Sequence, residues 1–221
     1  MTDLSGRSIA IIGGTGKLGS ALARRWARSG LHVLIGSRTA EAAVTAATTT
    51  GFGAEGCDNA SAAARGDIVV LTVPFAAQDA TLDQIAPHVA GKLVIDTTVP
   101  LVPPKVMRAQ MPPEGSAAMR TQRRLGPDVI VASGFHSVAA HKLALDARVE
   151  CDVLAFSDDM AARATVVALA GRAGLRGIQA GPLANSVAAE AMTSVLIFLN
   201  RTYRIDGAGL RITGTLIEPD A

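Results

Sequence analysis

Aromatic residues make up only 3% of the 221-residue chain, and that scarcity argues against one large class of functions. Single-stranded nucleic acid is gripped largely by stacking bases on Phe, Tyr and Trp, and a chain this poor in rings offers no such platform. The same scarcity shapes the core. With 49% hydrophobic residues and few rings, the interior must be built from Ala, Val, Leu and Ile, which suits helices packed tightly on a parallel sheet. Charge is also sparse. Charged residues are 18% and the formal net charge is +2, too little for a disordered chain and too little to grip nucleic acid or an anionic membrane surface. The two cysteines, Cys57 and Cys151, lie far apart in no CxxC or Cys/His pattern. No metal site is expected, and both thiols are expected to be buried and free in a reducing compartment. The opening Met1-Thr2-Asp3-Leu4-Ser5-Gly6 is not a signal peptide. The longest apolar stretch, Val187 to Leu199, is interrupted by Glu190 and falls short of a bilayer span. A cytoplasmic protein is expected, with small-molecule partners and neither nucleic acid nor membrane as a partner.

What the chain does have is concentrated near its start. Ser8 to Ile12 is a short apolar run, Gly13-Gly14-Thr15-Gly16-Lys17-Leu18-Gly19 follows at once, and Ser20 to Ser29 continues as a helix with Leu18, Leu22 and Trp26 on one face. Strand, glycine turn and helix in that order are the context in which a GxGxxG pattern reads as a dinucleotide site. Gly14 is expected to allow the tight turn, Gly16 to admit a pyrophosphate, and Gly19 to let helix and strand pack closely. The free N–H groups and positive dipole end of the helix N-terminus supply the attraction for an anion. A plain glycine-rich turn between strand and helix would look the same.

The next apolar run, Leu31 to Ile35, leads into Gly36-Ser37-Arg38-Thr39. An NAD-preferring site usually places Asp or Glu there to bind the ribose hydroxyls. Here the first acid is Glu41, inside the following helix, whereas Ser37 and Arg38 offer a short hydroxyl and a planar cationic fork suited to a 2′-phosphate. NADP is therefore preferred over NAD. The plainer alternative makes Ser37 a helix cap and Arg38 a solvated surface charge.

Alternation continues down the chain: helix 39–50, a cap at Asp58 or Asn59 for a helix through 64, strand 68–73, helix 75–85, strand 92–96, helix 114–125, strand 128–133, strand 152–156, helix 159–170 and strand 175–179. A long helix then reaches Tyr203, and the tail from Gly207 to Ile217 suggests a short extended segment. Alternating strands and helices imply an α/β fold, a doubly wound Rossmann-type parallel sheet with a small C-terminal helical segment, divided as 1–181 and 182–221. Ligands of such sheets lie beyond the carboxyl ends of the strands. That singles out Val73-Pro74-Phe75 and Val99-Pro100 as lining for a nicotinamide ring, although Pro74 and Pro100 also serve as ordinary strand stops.

Taken together, Gly13–Gly19, Gly36-Ser37-Arg38, Thr72-Val73-Pro74-Phe75, Phe135-His136-Ser137 and Ala180-Gly181-Pro182-Leu183-Ala184-Asn185-Ser186 resemble the NADPH-dependent coenzyme F420 reductases, in order from about Ile9 to Ile212. The resemblance implies reversible hydride transfer between C5 of the deazaflavin F420 and C4 of the nicotinamide of NADP. It implies that Thr15 to Leu18 hold the pyrophosphate, Ser37 and Arg38 the 2′-phosphate, Phe75 and Val99 the nicotinamide, and His136 and Ala140 the junction of the two coenzymes. It also implies a homodimer, with the last helix as its surface. Two positions depart from the family pattern: a lysine that would give a further phosphate contact is Ala42, and a proline after the His-Ser-apolar triplet is Ala139.

Transfer of hydride between two stacked rings asks the protein to bind, orient and exclude water rather than to supply an acid or base. His136 is the one candidate catalytic side chain, in an orienting role, or else a satisfied, partly buried histidine. Arg120, Arg123 and Arg124 are the candidate basic patch for the anionic tail of F420, with a solvated helix face as the alternative. A reductase of another small acceptor and a non-catalytic NADP sensor are the competing readings; the short chain after Gly181 favours a small, flat second substrate.

Overall fold

The computed structural model describes residues 2–217. Six parallel strands form the central sheet in the order β3-β2-β1-β4-β5-β6, comprising β1 (Ser8–Ile12), β2 (His32–Ser37), β3 (Glu55–Asp58), β4 (Ile68–Leu71), β5 (Leu93–Asp96) and β6 (Ile130–Ser133). This is the nucleotide-binding strand order, with its topological switch between β1 and β4. Strands β1 and β4 are wholly buried, apolar apart from Ser8 and flanked by sheet on both sides, so they read in sequence as nearly continuous hydrophobic runs. Helices α1 (Lys17–Arg28), α2 (Ala40–Thr50), α3 (Asn59–Arg65), α4 (Gln78–Ile85) and α5 (Ala117–Leu125) provide the crossovers and split the core into one cluster on each face of the sheet.

Start points follow from capping. Thr39 caps α2, Asp58 caps α3, and Ser116 caps α5 through Met119 N–H, so α5 begins at Ala117 rather than at Glu114 as the sequence suggests. Ser37 is no cap: it is buried at the end of β2.

The doubly wound sheet stops at β6, and the reason is local. The outward groups of β6 are already bonded: the Gln122 side chain donates to Gly126 and Val129 carbonyls and accepts from Val131 N–H, while the Ser157 hydroxyl donates to the Val131 carbonyl. Only Ser133 and Phe156 pair across, antiparallel. An edge strand capped in this way cannot add another strand. The following strands, β7 (Asp152–Ala155) and β8 (Arg176–Gln179), instead pair with each other in a separate two-stranded parallel sheet around α7 (Met160–Arg172). The tail forms no strand of its own, but Asp152 N–H donates to the Leu210 carbonyl and Ile212 N–H to the Asp152 carboxylate.

Helix α8 (Ser186–Tyr203) is the last helix of the described residues, preceded by a 3-10 turn at Leu183–Asn185. The helical segment Leu183–Tyr203 spans 21 residues, and an 18-residue window within it has a mean hydropathy of 1.3, long and apolar enough to cross a membrane by length and composition alone. Its inward residues, Ser186, Glu190 and Thr193, are nonetheless hydrogen-bonded into the domain. Of the two thiols, Cys151 is buried, whereas Cys57 is only partly so.

Two side chains of α1 fasten the nucleotide half of the chain to the later lobe. Trp26 is fully buried, its indole N–H donates to the Leu169 carbonyl at 2.8 Å, and its ring meets Phe135 edge-to-face with centroids 5.8 Å apart. Burying such a ring contributes roughly 2–3 kcal/mol. Arg25 donates to four backbone carbonyls, those of Leu143, Leu145, Ala147 and Ala173, at 2.7–2.8 Å. The intervening α6 (Ala140–Leu143) is a single turn and depends on such external contacts. Arg25→Ala leaves those carbonyls without their donor, and hydrogen bonds to a charged group are strong, so a loss of about 2–4 kcal/mol is expected. Urea unfolding of the variant measures it; a loss under about 0.5 kcal/mol would show that the clamp is dispensable.

Candidate functional site

The glycine turn lies at the carboxyl ends of β1 and β4. The residue with positive φ is Gly13, at +73°, so the tight turn belongs to Gly13 and not to Gly14 as expected from the sequence. Gly14 is needed for a different reason: a Cβ there would stand 2.8 Å from the Ile11 carbonyl oxygen and 3.0 Å from Ile35. At Gly19 a Cβ would come within 2.6 Å of the Thr72 hydroxyl and 2.7 Å of Gly14 Cα, so only glycine lets α1 approach the turn. A Cβ at Gly16 would meet nothing closer than the Gly13 carbonyl at 3.3 Å.

The N-terminus of α1 carries no side-chain cap and no acid in its first turn. Thr15, Gly16 and Lys17 are exposed. Unsatisfied N–H groups, the positive end of the helix dipole and the Lys17 ammonium thus face outward without a competing carboxylate, which is the donor set a pyrophosphate requires. Leu18 turns inward and packs on the core.

Twenty residues on, Ser37 at the end of β2 brings its hydroxyl within 3.5 Å of that of Thr15. Arg38 is exposed and makes no ion pair among the described residues. Arg38 directly follows Ser37 in the chain, and a hydroxyl pair with a guanidinium next to it in sequence is a donor set that fits a phosphate on the adenosine ribose. Ala42 sits in the first turn of α2, its N–H directed to Thr39.

Beyond the glycine turn, the strand ends are laced together. Thr72 N–H and hydroxyl donate to the Ile12 carbonyl, Thr97 does the same to the Leu71 carbonyl, and Gly134 N–H donates to the Asp96 carbonyl. This lacing aligns Gly13, Val73, Val99 and His136 along one sheet edge. A Cβ on Gly13 would fall 2.6 Å from a Val73 methyl, so Val73 closes directly on the glycine turn. Pro74 is exposed and leads into a 3-10 turn at Phe75–Ala77; Val99 is half-buried, Pro100 buried, and Ala140 half-buried at the start of α6.

His136 follows Phe135, whose φ of +65° is unusual for a bulky residue. The Phe135 ring meets Trp26 edge-to-face, and the His136 ring that follows it lies with its centroid 6.3 Å from that of Phe156. Its Nε2 lies 2.7 Å from the Ser133 hydroxyl, and its carbonyl accepts from Thr193 of α8. Burial drives the imidazole pKa down to about 4, so the ring is neutral at physiological pH.

The three arginines do not form one patch. Arg120 pairs with Asp79 and lies 5.2 Å over the Phe75 ring, Arg124 pairs with Asp83, and Arg123 is exposed beside Asp158 and Asp159 in the groove along β6. Arg120 and Arg124, one helical turn apart, both meet acids of α4, which absorb two of the charges, while Arg123 lines the β6 groove.

The sequence reading passed over a buried polar cluster behind this edge. Asp96, fully buried, accepts from Gln78, Thr121 and Thr98 N–H. Glu190 of α8 accepts from Ala117 N–H at 2.6 Å and Ala118 N–H at 3.2 Å, at the start of α5. Burial, with the neighbouring Asp96 charge adding to it, pushes Glu190 up to about 8 against the pull of those N–H groups; burial also raises Asp96. Glu190 was visible in the sequence as the one acid inside an apolar helix, which is the available signal for a satisfied buried carboxylate.

The His136 shift has a definite sign. Its folded-state pKa lies below the ordinary 6.5, so the unfolded chain binds a proton that the folded one refuses, and stability is lost as pH falls from about 6.5 through about 4. In His136→Asn that contribution disappears. Denaturant unfolding at stepped pH is expected to show a shallower acid decline in the variant than in the wild type; parallel curves would mean that the imidazole is not buried neutral.

Residues 8–100 match the family model described as "NADP oxidoreductase coenzyme F420-dependent". Across 218 residues, 93% of this chain and 94% of the relative, the sequence is 41% identical to the F420-dependent NADP reductase of Methanothermobacter thermautotrophicus. It is 38% identical to that of Methanocaldococcus jannaschii, over 93% and 97% of the two chains. Among solved structures, a candidate F420-dependent NADP-reductase from Arthrobacter sp. FB24 superposes with a TM-score of 0.81 at 25% identity, over 95% of this chain and 100% of that one. An imine reductase from Myxococcus stipitatus, at 22% identity and a TM-score of 0.62, shares the fold over 90% of this chain and 62% of its own. Full-length identity to named reductases and the glycine-turn geometry agree: the chain belongs to the F420-dependent NADP reductase family.

Proposed function

We propose that this protein is an NADPH-dependent F420 reductase, moving a hydride reversibly between NADP(H) and the deazaflavin coenzyme F420. The observation that carries the proposal is the uncapped, acid-free N-terminus of α1 beside the Ser37–Thr15 hydroxyls and the free Arg38, in a chain of this family. When bound, the two coenzymes supply the redox chemistry themselves. Gly14, Thr15, Gly16, Lys17, Leu18 and Gly19 hold the pyrophosphate, and Ser37 with Arg38 the 2′-phosphate. Val73, Pro74, Phe75, Val99 and Pro100 form the shelf for the nicotinamide. His136, neutral and fixed by Ser133, and Ala140 border the place where the second ring lies against it. A shelf of apolar side chains and a neutral imidazole excludes water and orients the reacting faces, which is the greater part of catalysis in such a transfer.

Chain 1–181 is the coenzyme-binding unit and 182–221 a C-terminal helical segment, of which residues 218–221 lie outside the described structure. The protein works in the cytoplasm: its two thiols are unpaired and the polar residues of α8 are tied into the domain. Met192, Val195 and Phe198, 36–49% exposed at three-residue spacing on α8, are apolar surface for a second copy, making a homodimer.

Mixing the purified protein with NADPH and F420 tests the reaction. Deazaflavin absorbance is expected to bleach, FMN to remain oxidised, and NADH to be at least tenfold poorer than NADPH; Ser37→Ala with Arg38→Ala is expected to erase that preference. NADPH binding without turnover of F420 would overturn the assigned activity. Sedimentation velocity tests the association: the wild type is expected at dimer mass and Phe198→Glu at monomer mass, and a monomeric wild type would end that part of the proposal.

A further inference from the structure

The buried cluster behind the sheet edge is not needed to hold either coenzyme, yet it is built at some cost. Gln78, Asp96, Thr121, Ser116 and Ser186 are fully buried and Glu190 is 1% exposed, and neither carboxylate has a cationic partner among the described residues. An apolar interior would have been cheaper, so position rather than stability is the gain to look for.

The contacts converge on the first two turns of α5. Gln78 donates to Asp96 at 2.8 Å and to the Ala117 carbonyl at 3.1 Å, Thr121 donates to Asp96 at 2.6 Å, and the Ser186 hydroxyl donates to that of Ser116 at 2.8 Å. Glu190 takes the Ala117 and Ala118 N–H groups, two donors that a helix start otherwise leaves open. In the turn so fixed stands Arg120, whose guanidinium covers the Phe75 ring while pairing with Asp79. On the other side, Asp96 accepts Thr98 N–H, one residue before Val99. One turn along α8 from Glu190, Thr193 holds the His136 carbonyl.

We propose that Glu190 is a positioning residue for hydride transfer: from α8 it sets the first turn of α5, and through Arg120 it fixes the Phe75 ring that forms one wall of the nicotinamide shelf. This rests on the nicotinamide lying against Phe75 and Val99, as assigned above. Ångström-scale misplacement of a reacting ring costs on the order of 100-fold in rate, whereas the adenosine half of the coenzyme, bound at Ser37 and the glycine turn, is unaffected by the tilt of Phe75.

The test compares wild type, Glu190→Ala, Glu190→Gln, Arg120→Leu and the Glu190→Ala/Arg120→Leu double variant. Three quantities are read: NADPH dissociation constant, fluorescence yield of bound NADPH, and kcat for F420 reduction. Glu190→Ala and Arg120→Leu are each expected to lower kcat about tenfold or more with the NADPH dissociation constant within about twofold, and to bring the bound-nicotinamide fluorescence towards that of free NADPH. The double variant is expected to lose little beyond either single one, because the residues act in series. Glu190→Gln, which keeps one accepting oxygen, is expected to recover most of the rate. An unchanged kcat and fluorescence in a folded Glu190→Ala, or losses that multiply in the double variant, would overturn the proposal. Should Glu190→Ala not fold, Arg120→Leu decides: unchanged fluorescence and rate overturn it. If the wild type binds NADPH but does not reduce F420, the assigned reaction fails while the fluorescence comparison still judges Glu190.

Discussion

The structure depends on how closely α1 approaches the ends of β1 and β4. Where Gly19 faces Gly14 and Thr72 there is no room for a methyl group, and where Gly14 faces Ile11 and Ile35 there is none either. That approach aims the open end of α1 at the crevice where strand order reverses, the one place in such a sheet where an elongated anionic ligand can lie along the carboxyl edge. The same approach sets the depth of Trp26, whose ring then supports Phe135 and, next to it, His136. The coenzyme cradle and the far side of the site are thus linked through one helix.

A second principle is that side chains finish the backbone's hydrogen bonding wherever regular structure stops. Threonines 72 and 97 extend the ladder past the strand ends, Gln122 and Ser157 seal the edge of β6, Arg25 satisfies four carbonyls around the single-turn α6, and Glu190 closes the start of α5. Buried backbone polar groups must be paired. In a chain with so few aromatic rings, such polar ties, with close-packed Ala, Val, Leu and Ile, take over the task of fixing loops around the site.

The electrostatics divide along the same edge. The open N-terminus of α1 is rich in donors and has no acid in its first turn, and the strand ends beyond it carry apolar side chains and a neutral imidazole. Behind the shelf the low-dielectric interior raises both buried carboxyl groups. Charge is therefore available where a phosphate needs it and withheld where a hydride must cross.

The sequence by itself determined the local order of the fold. Apolar runs at Ser8–Ile12 and Ile68–Leu71 and the glycine pattern identify strands and turn, because each depends on residues adjacent in the chain. Capping was legible for the same reason at Asp58, and less so at Ser116, where nearby Glu114 also reads as helix. Tertiary structure decided what depends on distant partners. It assigned the positive φ to Gly13 instead of Gly14, because sterics with Ile11 and Ile35 set the second glycine's role. It paired Arg120 and Arg124 with acids of α4 and set Arg123 in the β6 groove, and it sent β7 and β8 to a sheet of their own once Gln122 had closed the edge. It also drew Asp96, Gln78, Thr121 and Glu190 into one buried cluster across separations of 18 to 112 positions, from Gln78–Asp96 to Gln78–Glu190. Local propensity and spacing carry no information about such meetings; only the packing of four elements behind one sheet edge brings them about.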